Sequence, residues 1–259
     1  MGALPPNRGA EPDLTIGSGS DPQSGIAVIA FIDLLSPELF SMANERPLER
    51  SMIVGIPVYN DVDLLDVTAP FEILKWMDPK IDIRLIAPKP AKITARNGGF
   101  CFDAPYGFDD VPELDVLWVP GGDPKALKRI MSGPDGAYLK FMEDRAGNAK
   151  WVCSVCEGAL LLAKANLLNG YECTTHWYFI PCLKQIGSPK VVEGFPRFVV
   201  DRNRLTGGGV SSGLDESLKL VELLTDYKTA QGVQQNIQYY PCPPVASTIE
   251  PVDTCQFTF

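Results

Sequence analysis

The sequence predicts an α/β domain: a mostly parallel β-sheet flanked by helices on both faces. Three observations carry this. Short, almost wholly apolar, β-branched runs recur along the chain, which is the pattern of strands buried on both sides. Stretches with apolar residues at helical spacing lie between them. The two kinds alternate, the order that builds parallel sheets.

The elements follow in order. "MIVGIPVY" (52–59) reads as a first buried strand. "TAPFEILKWM" (68–77) reads as a helix, with Pro70 near its start, where proline is tolerated. "IDIRLIAP" (81–88) is a second strand, and residues 93–103 have a hairpin-like pattern. "LDVLWVPGG" (114–122) is a buried strand that ends in a glycine pair, and helical patterns follow to about 145. "AKWVCSV" (149–155) is another buried strand, and "EGALLLAKANLL" (157–168) the helix after it. Two β-like runs, "KVVEG" (190–194) and "RFVVD" (197–201), precede the amphipathic helix "SSGLDESLKLVELLTDY" (211–227), with Ser211 as candidate N-cap. The architecture is a flavodoxin-like sandwich over residues 51–240. A Pro-rich strap over 241–259 should follow it. Residues 1–50, rich in Pro, Gly, Ser and Asp, read as a flexible, low-complexity extension.

Composition narrows the function. Charged residues are 21% and apolar residues 45% of 259, which suits a globular protein with a large core. The net charge of −9, with no basic cluster, argues against nucleic acid as a partner. "GIAVIAFIDLL" (25–35) is too short to span a membrane and contains Asp33. The seven cysteines are odd in number in a long chain with no evident secretory signal, so a disulfide framework is not expected and a reducing, cytoplasmic setting is. Cys153 and Cys156 form a C-x-x-C, but Cys153 falls inside an apolar strand and reads as core. Zinc is a poor fit in a chain with one histidine.

Ligands in parallel sheets bind at the carboxyl ends of the strands. Three ends should converge: residues 60–66, Gly121–Gly122 and Cys156. "SVCEGALLLA" (154–163) has the mechanics of a nucleophile elbow, in which a strained strand-to-helix turn displays the nucleophile between small neighbours. Ser154 and Gly158 are those neighbours. The helix N-terminus should lower the thiol pKa. The amides of Gly121, Gly122 and Glu157 can form an oxyanion-type hole. Asp66 is either the N-cap of its helix or an acid/base aimed at Cys156. Glu157, beside the thiol, would raise both pKa values if it points inward. His176, the single histidine, is either a structural residue among aromatics or the partner of Cys156.

"VDLLDVTAPFEIL", "LDVLWVPGG", "SVCEGALLLAKANLLNGYECTTHW" and "TGGGVSSGLDESLKLVELL", in that order, resemble the ThiJ/PfpI superfamily of class I glutamine-amidotransferase-like proteins. The resemblance covers roughly residues 51–253 and leans towards its isonitrile (isocyanide) hydratase branch, which shares the Pro-rich tail. It implies Cys156 as nucleophile and Asp66 as acid/base. It also implies a homodimer acting on a small molecule, with no cofactor or metal. The implied reaction passes through a thioimidate on Cys156 to an N-substituted formamide. Glu157 departs from the threonine common at that position. The alternatives are a glyoxalase- or deglycase-like enzyme acting on 2-oxoaldehydes, which uses a Cys–His–acid site, and a non-enzymatic redox sensor or interaction protein. A transcription regulator would need a DNA-binding helix pair after residue 230, where this chain has its Pro-rich tail.

Overall fold

The computed structural model describes residues 51–133 and 136–257. The extension expected over residues 1–50 lies outside the described residues. Eleven strands are described: β1 (Ile53–Pro57), β2 (Asp82–Ala87), β3 (Ala91–Thr94), β4 (Cys101–Ala104), β5 (Tyr106–Gly107), β6 (Val116–Val119), β7 (Trp151–Ser154), β8 (Glu172–Cys173), β9 (Lys190–Val191), β10 (Phe198–Asp201) and β11 (Arg204–Gly207). The α-helices are α1 (Leu64–Met77), α2 (Pro124–Ser132), α3 (Ala137–Ala146), α4 (Gly158–Lys164), α5 (Ile180–Leu183), α6 (Ser212–Leu224) and α7 (Tyr227–Asn236).

Seven strands form the main sheet, in the order β10-β11-β7-β6-β1-β2-β5. Every pairing in it is parallel except the β10–β11 hairpin at one edge. The hairpin-like stretch is the antiparallel pair β3–β4. The register aligns the carboxyl ends: Val119 pairs with Ser154, and Ser154 with Thr206. Chain order then fixes the site, because the residues after β1, β6, β7 and β11 all emerge along one edge of the sheet.

The central strands are apolar because both faces are covered. Val116–Val119 and Val152–Cys153 are fully buried. One group of helices, α1, α6 and α7, packs together, and a second, α2, α3 and α4, does the same. Each fully buried Leu or Ile of this core contributes about 1.5–3 kcal/mol relative to leaving it in water. No described helix is long and apolar enough to cross a membrane.

Three expectations are corrected. Helix α1 begins at Leu64, with Asp63 at the N-cap position, so Asp66 lies within the first turn and is not the cap. Pro70 therefore sits inside the helix, where the turn from Asp63 to Asp66 has already fixed the backbone. The third concerns cysteine. Cys182 in α5 and Cys255 in the tail form a disulfide. The remaining five cysteines are free. Spacing gave no sign of this pair, since 73 residues separate the two and only folding lays the tail beside α5. Residues 238–257 contain no helix or strand.

Candidate active site

The turn after β7 is an elbow in fact. Cys156 has φ = 56°, in the left-handed region, which costs a non-glycine residue roughly 1–3 kcal/mol. Three contacts hold it there. Its amide donates to the Gly208 carbonyl at 2.8 Å, its carbonyl accepts from Thr175 Oγ1 at 2.7 Å, and the Gly158 amide closes the turn onto the Val155 carbonyl at 3.0 Å. Position 158 must be glycine: a Cβ there would overlap the carbonyl oxygen of Val119 on the neighbouring strand. Cys153 is fully buried in β7, as the core reading expects, and is not bonded to Cys156.

Asp66 reaches the thiol from α1. One carboxylate oxygen each from Asp63 and Asp66 and the Cys156 sulfur lie within 4.8 Å of one another. The position of Asp66 has an identifiable cause. Pro70 has no N–H to offer the carbonyl four residues back, which is that of Asp66. The Trp118 indole N–H, from β6, donates to it instead at 2.9 Å. The Asp66 side chain accepts from the Gly121 amide at 2.9 Å, and its other oxygen has no hydrogen-bond partner among the described residues. The Gly121 amide, expected to face a substrate, is thus engaged by Asp66, because Asp66 comes over the sheet end rather than capping α1. Gly122 forms a bridge with Val62 and brings the β6 end against the β1 loop.

Glu157 points inward. It is almost fully buried, packs over Gly121, and has one oxygen with no hydrogen-bond partner among the described residues. Its side chain acts on the Cys156 thiol closely enough to shift the thiol pKa upward. Burial raises the pKa of Cys156, and the charges of Asp66 and Glu157 raise it further. This reverses the lowering expected from the helix N-terminus: α4 is short, and the thiol is 1% exposed among carboxylates. Burial also drives Asp66 well above the usual carboxylate range, helped by Asp63, and raises Glu157. Each of the three groups therefore favours its protonated form more than it would in water.

Two contributors carried no sequence signal. Asp63 was one of three aspartates in a loop, and Arg96 lies beyond β3. Arg96 Nη1 binds both Asp63 oxygens at 3.3 Å and neutralises that charge at the site's edge. His176 stands apart. Its Nδ1 accepts from the Tyr178 amide at 3.2 Å, and no hydrogen bond among the described residues joins it to Cys156. Burial lowers its pKa, which keeps the ring neutral at neutral pH. It lines a cleft of about 380 Å³ with Leu65, Trp177, Phe195, Val210 and Ile249. Thr175 and Gly208, which hold the Cys156 backbone, also line it, so the cleft opens towards the elbow.

A parallel α/β sheet with a cysteine elbow set among carboxyl groups defines a class of proteins built around one buried thiol. The chain belongs to the DJ-1/PfpI family, whose family model matches residues 52–223. It is 35% identical over 194 residues to isonitrile hydratase from Pseudomonas putida, covering 75% of this chain and 81% of that protein. Among solved structures, a ThiJ/PfpI family protein from Pseudomonas syringae is similar, with 31% identity and a TM-score of 0.71 over 82% of this chain and 83% of that one. The HTH-type transcriptional regulator GbdR of Pseudomonas aeruginosa is 30% identical over 115 residues, 44% of this chain and 30% of the regulator.

Proposed function

We propose that the protein is a cofactor-independent cysteine enzyme that hydrates a small isonitrile to an N-substituted formamide. The carrying observation is a thiol that is 1% exposed on the elbow, with Asp66 and Glu157 both raising its pKa, next to a cleft lined by Thr175 and Gly208, which hold the Cys156 backbone. The terminal carbon of R–N≡C is a thin, uncharged rod end that fits such access, and an apolar R group suits the cleft. The similarity to isonitrile hydratase supports the same reading.

The residues supply a balanced sequence of steps. Glu157 takes the thiol proton as Cys156 Sγ bonds to the isonitrile carbon. Asp66 gives its proton to that carbon, leaving the thioimidate Cys156–S–CH=N–R. The proton belongs on carbon, since the carbon of an isonitrile carries the lone pair. Asp66, now ionised, takes a proton from water as the hydroxyl adds to the carbon, and Glu157 returns its proton to nitrogen. The C–S bond then breaks, the hydroxyl proton goes back to sulfur, and the formamide leaves. Nothing is oxidised or reduced, and covalent catalysis of this kind needs no cofactor. A homodimer is the assembly proposed, by the family resemblance.

The test is incubation of the purified protein with isonitriles and 2-oxoaldehydes, with products read by mass spectrometry. Formamide from the parent and none from Cys156→Ala is expected. A 2-hydroxy acid instead would favour the alternative, a glyoxalase-like reaction, for which His176 on the cleft wall is the supporting observation. Undiminished formamide from Cys156→Ala would exclude the nucleophile.

A further inference from the structure

The Pro-rich strap has no role in the chemistry above, yet it forms part of the cleft. Ile249, midway along it, lines the cleft beside His176 and Trp177. Residues 241–250 are exposed and contain no helix or strand, so little apolar burial holds Ile249 in place. Six residues on, Cys255 is bonded to Cys182, and Phe257 sets its ring edge-on against Phe179 at 6.3 Å. Cys182 and Phe179 belong to the same short segment that begins with His176 and Trp177. The disulfide thus ties the strap to the segment that supplies His176 and Trp177 to the same cleft wall.

We infer that the strap is a detachable wall of the substrate cleft. Ile249 sets how large a group the cleft admits, and the Cys182–Cys255 bond sets whether that wall stays in place. The inference rests on the cleft being the route to Cys156. A dithiol reductant opens the bond: its two hydrogens pass to Cys182 and Cys255, and it becomes a cyclic disulfide. The strap is then held by the Phe257 contact and its covalent join to α7, and Ile249 can leave the wall. The redox state of the tail becomes a control on which substrates reach a thiol that does not itself change.

The test reads access to Cys156 without needing turnover. The oxidised protein, the same protein treated with dithiothreitol, Cys255→Ser and Ile249→Ala are each treated with iodoacetamide and with a bulky N-aryl maleimide. Labelling of the Cys156 peptide is followed by mass spectrometry. The maleimide-to-iodoacetamide rate ratio should rise about tenfold in the last three, the scale on which an apolar wall discriminates size. Ile249→Ala keeps the disulfide, so it reports the wall even if Cys255→Ser folds poorly. Limited proteolysis between residues 241 and 254 should become faster on reduction. An unchanged ratio or unchanged protection overturns the inference. Failure to hydrate isonitriles would overturn the proposed reaction and leave this result standing.

Discussion

The indole N–H of Trp118 donates to the backbone carbonyl of Asp66 at 2.9 Å, the carbonyl that a helical amide at position 70 would otherwise have bonded. Proline at 70 creates the unmet acceptor, and a tryptophan on the neighbouring strand meets it. The result pins the turn of α1 that carries the acidic side chain facing Cys156.

Trp118→Phe should leave that buried carbonyl unpaired and cost about 1–3 kcal/mol of stability. Pro70→Ala in the same chain should recover part of the loss by restoring the helical donor. Thermal melts of the two single variants and the double variant give the coupling. Purely additive effects would show that the indole does not stand in for the missing amide.

Asp66→Asn preserves an oxygen for the Gly121 amide but has no acidic proton to give. Its turnover should fall about 10²–10⁴-fold, the usual contribution of a positioned acid. The melting temperature should hold or rise, since the change removes a buried ionisable group. Near-normal kcat would mean that Asp66 is structural.

In the proposed reaction Glu157 must be ionised to accept the thiol proton, while Asp66 must be protonated to give one. Activity should therefore fall on the acid side as Glu157 gains a proton, above the usual carboxylate range because burial raises it. It should fall on the alkaline side as Asp66 loses its proton, also displaced upward by burial. Glu157→Thr should abolish the acid limb in a kcat/KM profile against pH and lower the plateau. Faster isonitrile turnover in that variant would instead show that the parent protein serves another substrate.

Glu216 on α6 is fully buried, and neither carboxylate oxygen has a hydrogen-bond partner among the described residues. Burial raises its pKa well above the model-peptide carboxylate, and Asp66 adds to the shift. In the window between its unfolded and folded pKa values the folded state binds more protons, so stability falls as pH rises through that window. Glu216→Gln should flatten this fall in denaturant midpoints measured from about pH 4 upward, the range where an unfolded glutamate titrates. An unchanged slope would mean that Glu216 is ionised and solvated in the native state.

Much of this was legible along the chain. Apolar runs gave the buried strands, and their alternation with helices gave the parallel order. The small residues flanking Cys156 announced the elbow, because a turn that tight leaves no room for a side chain at 158. What escaped has a common character. The hydrogen bond from Trp118 to Asp66 spans 52 residues, and the Cys182–Cys255 bond spans 73. Asp63 and Arg96 meet only because the loop after β1 and the hairpin β3–β4 fold against one another.

The sequence by itself determined the sheet and the elbow with Cys156 at its apex, since local sterics and hydrophobic periodicity act between near neighbours. Only the tertiary structure decided the surroundings that shift the titration of the site. It buried a thiol with two carboxyl groups, spent the Gly121 amide on Asp66 and left His176 to the cleft wall. A pKa depends on what surrounds a group in space, and the order of residues in the chain does not state that.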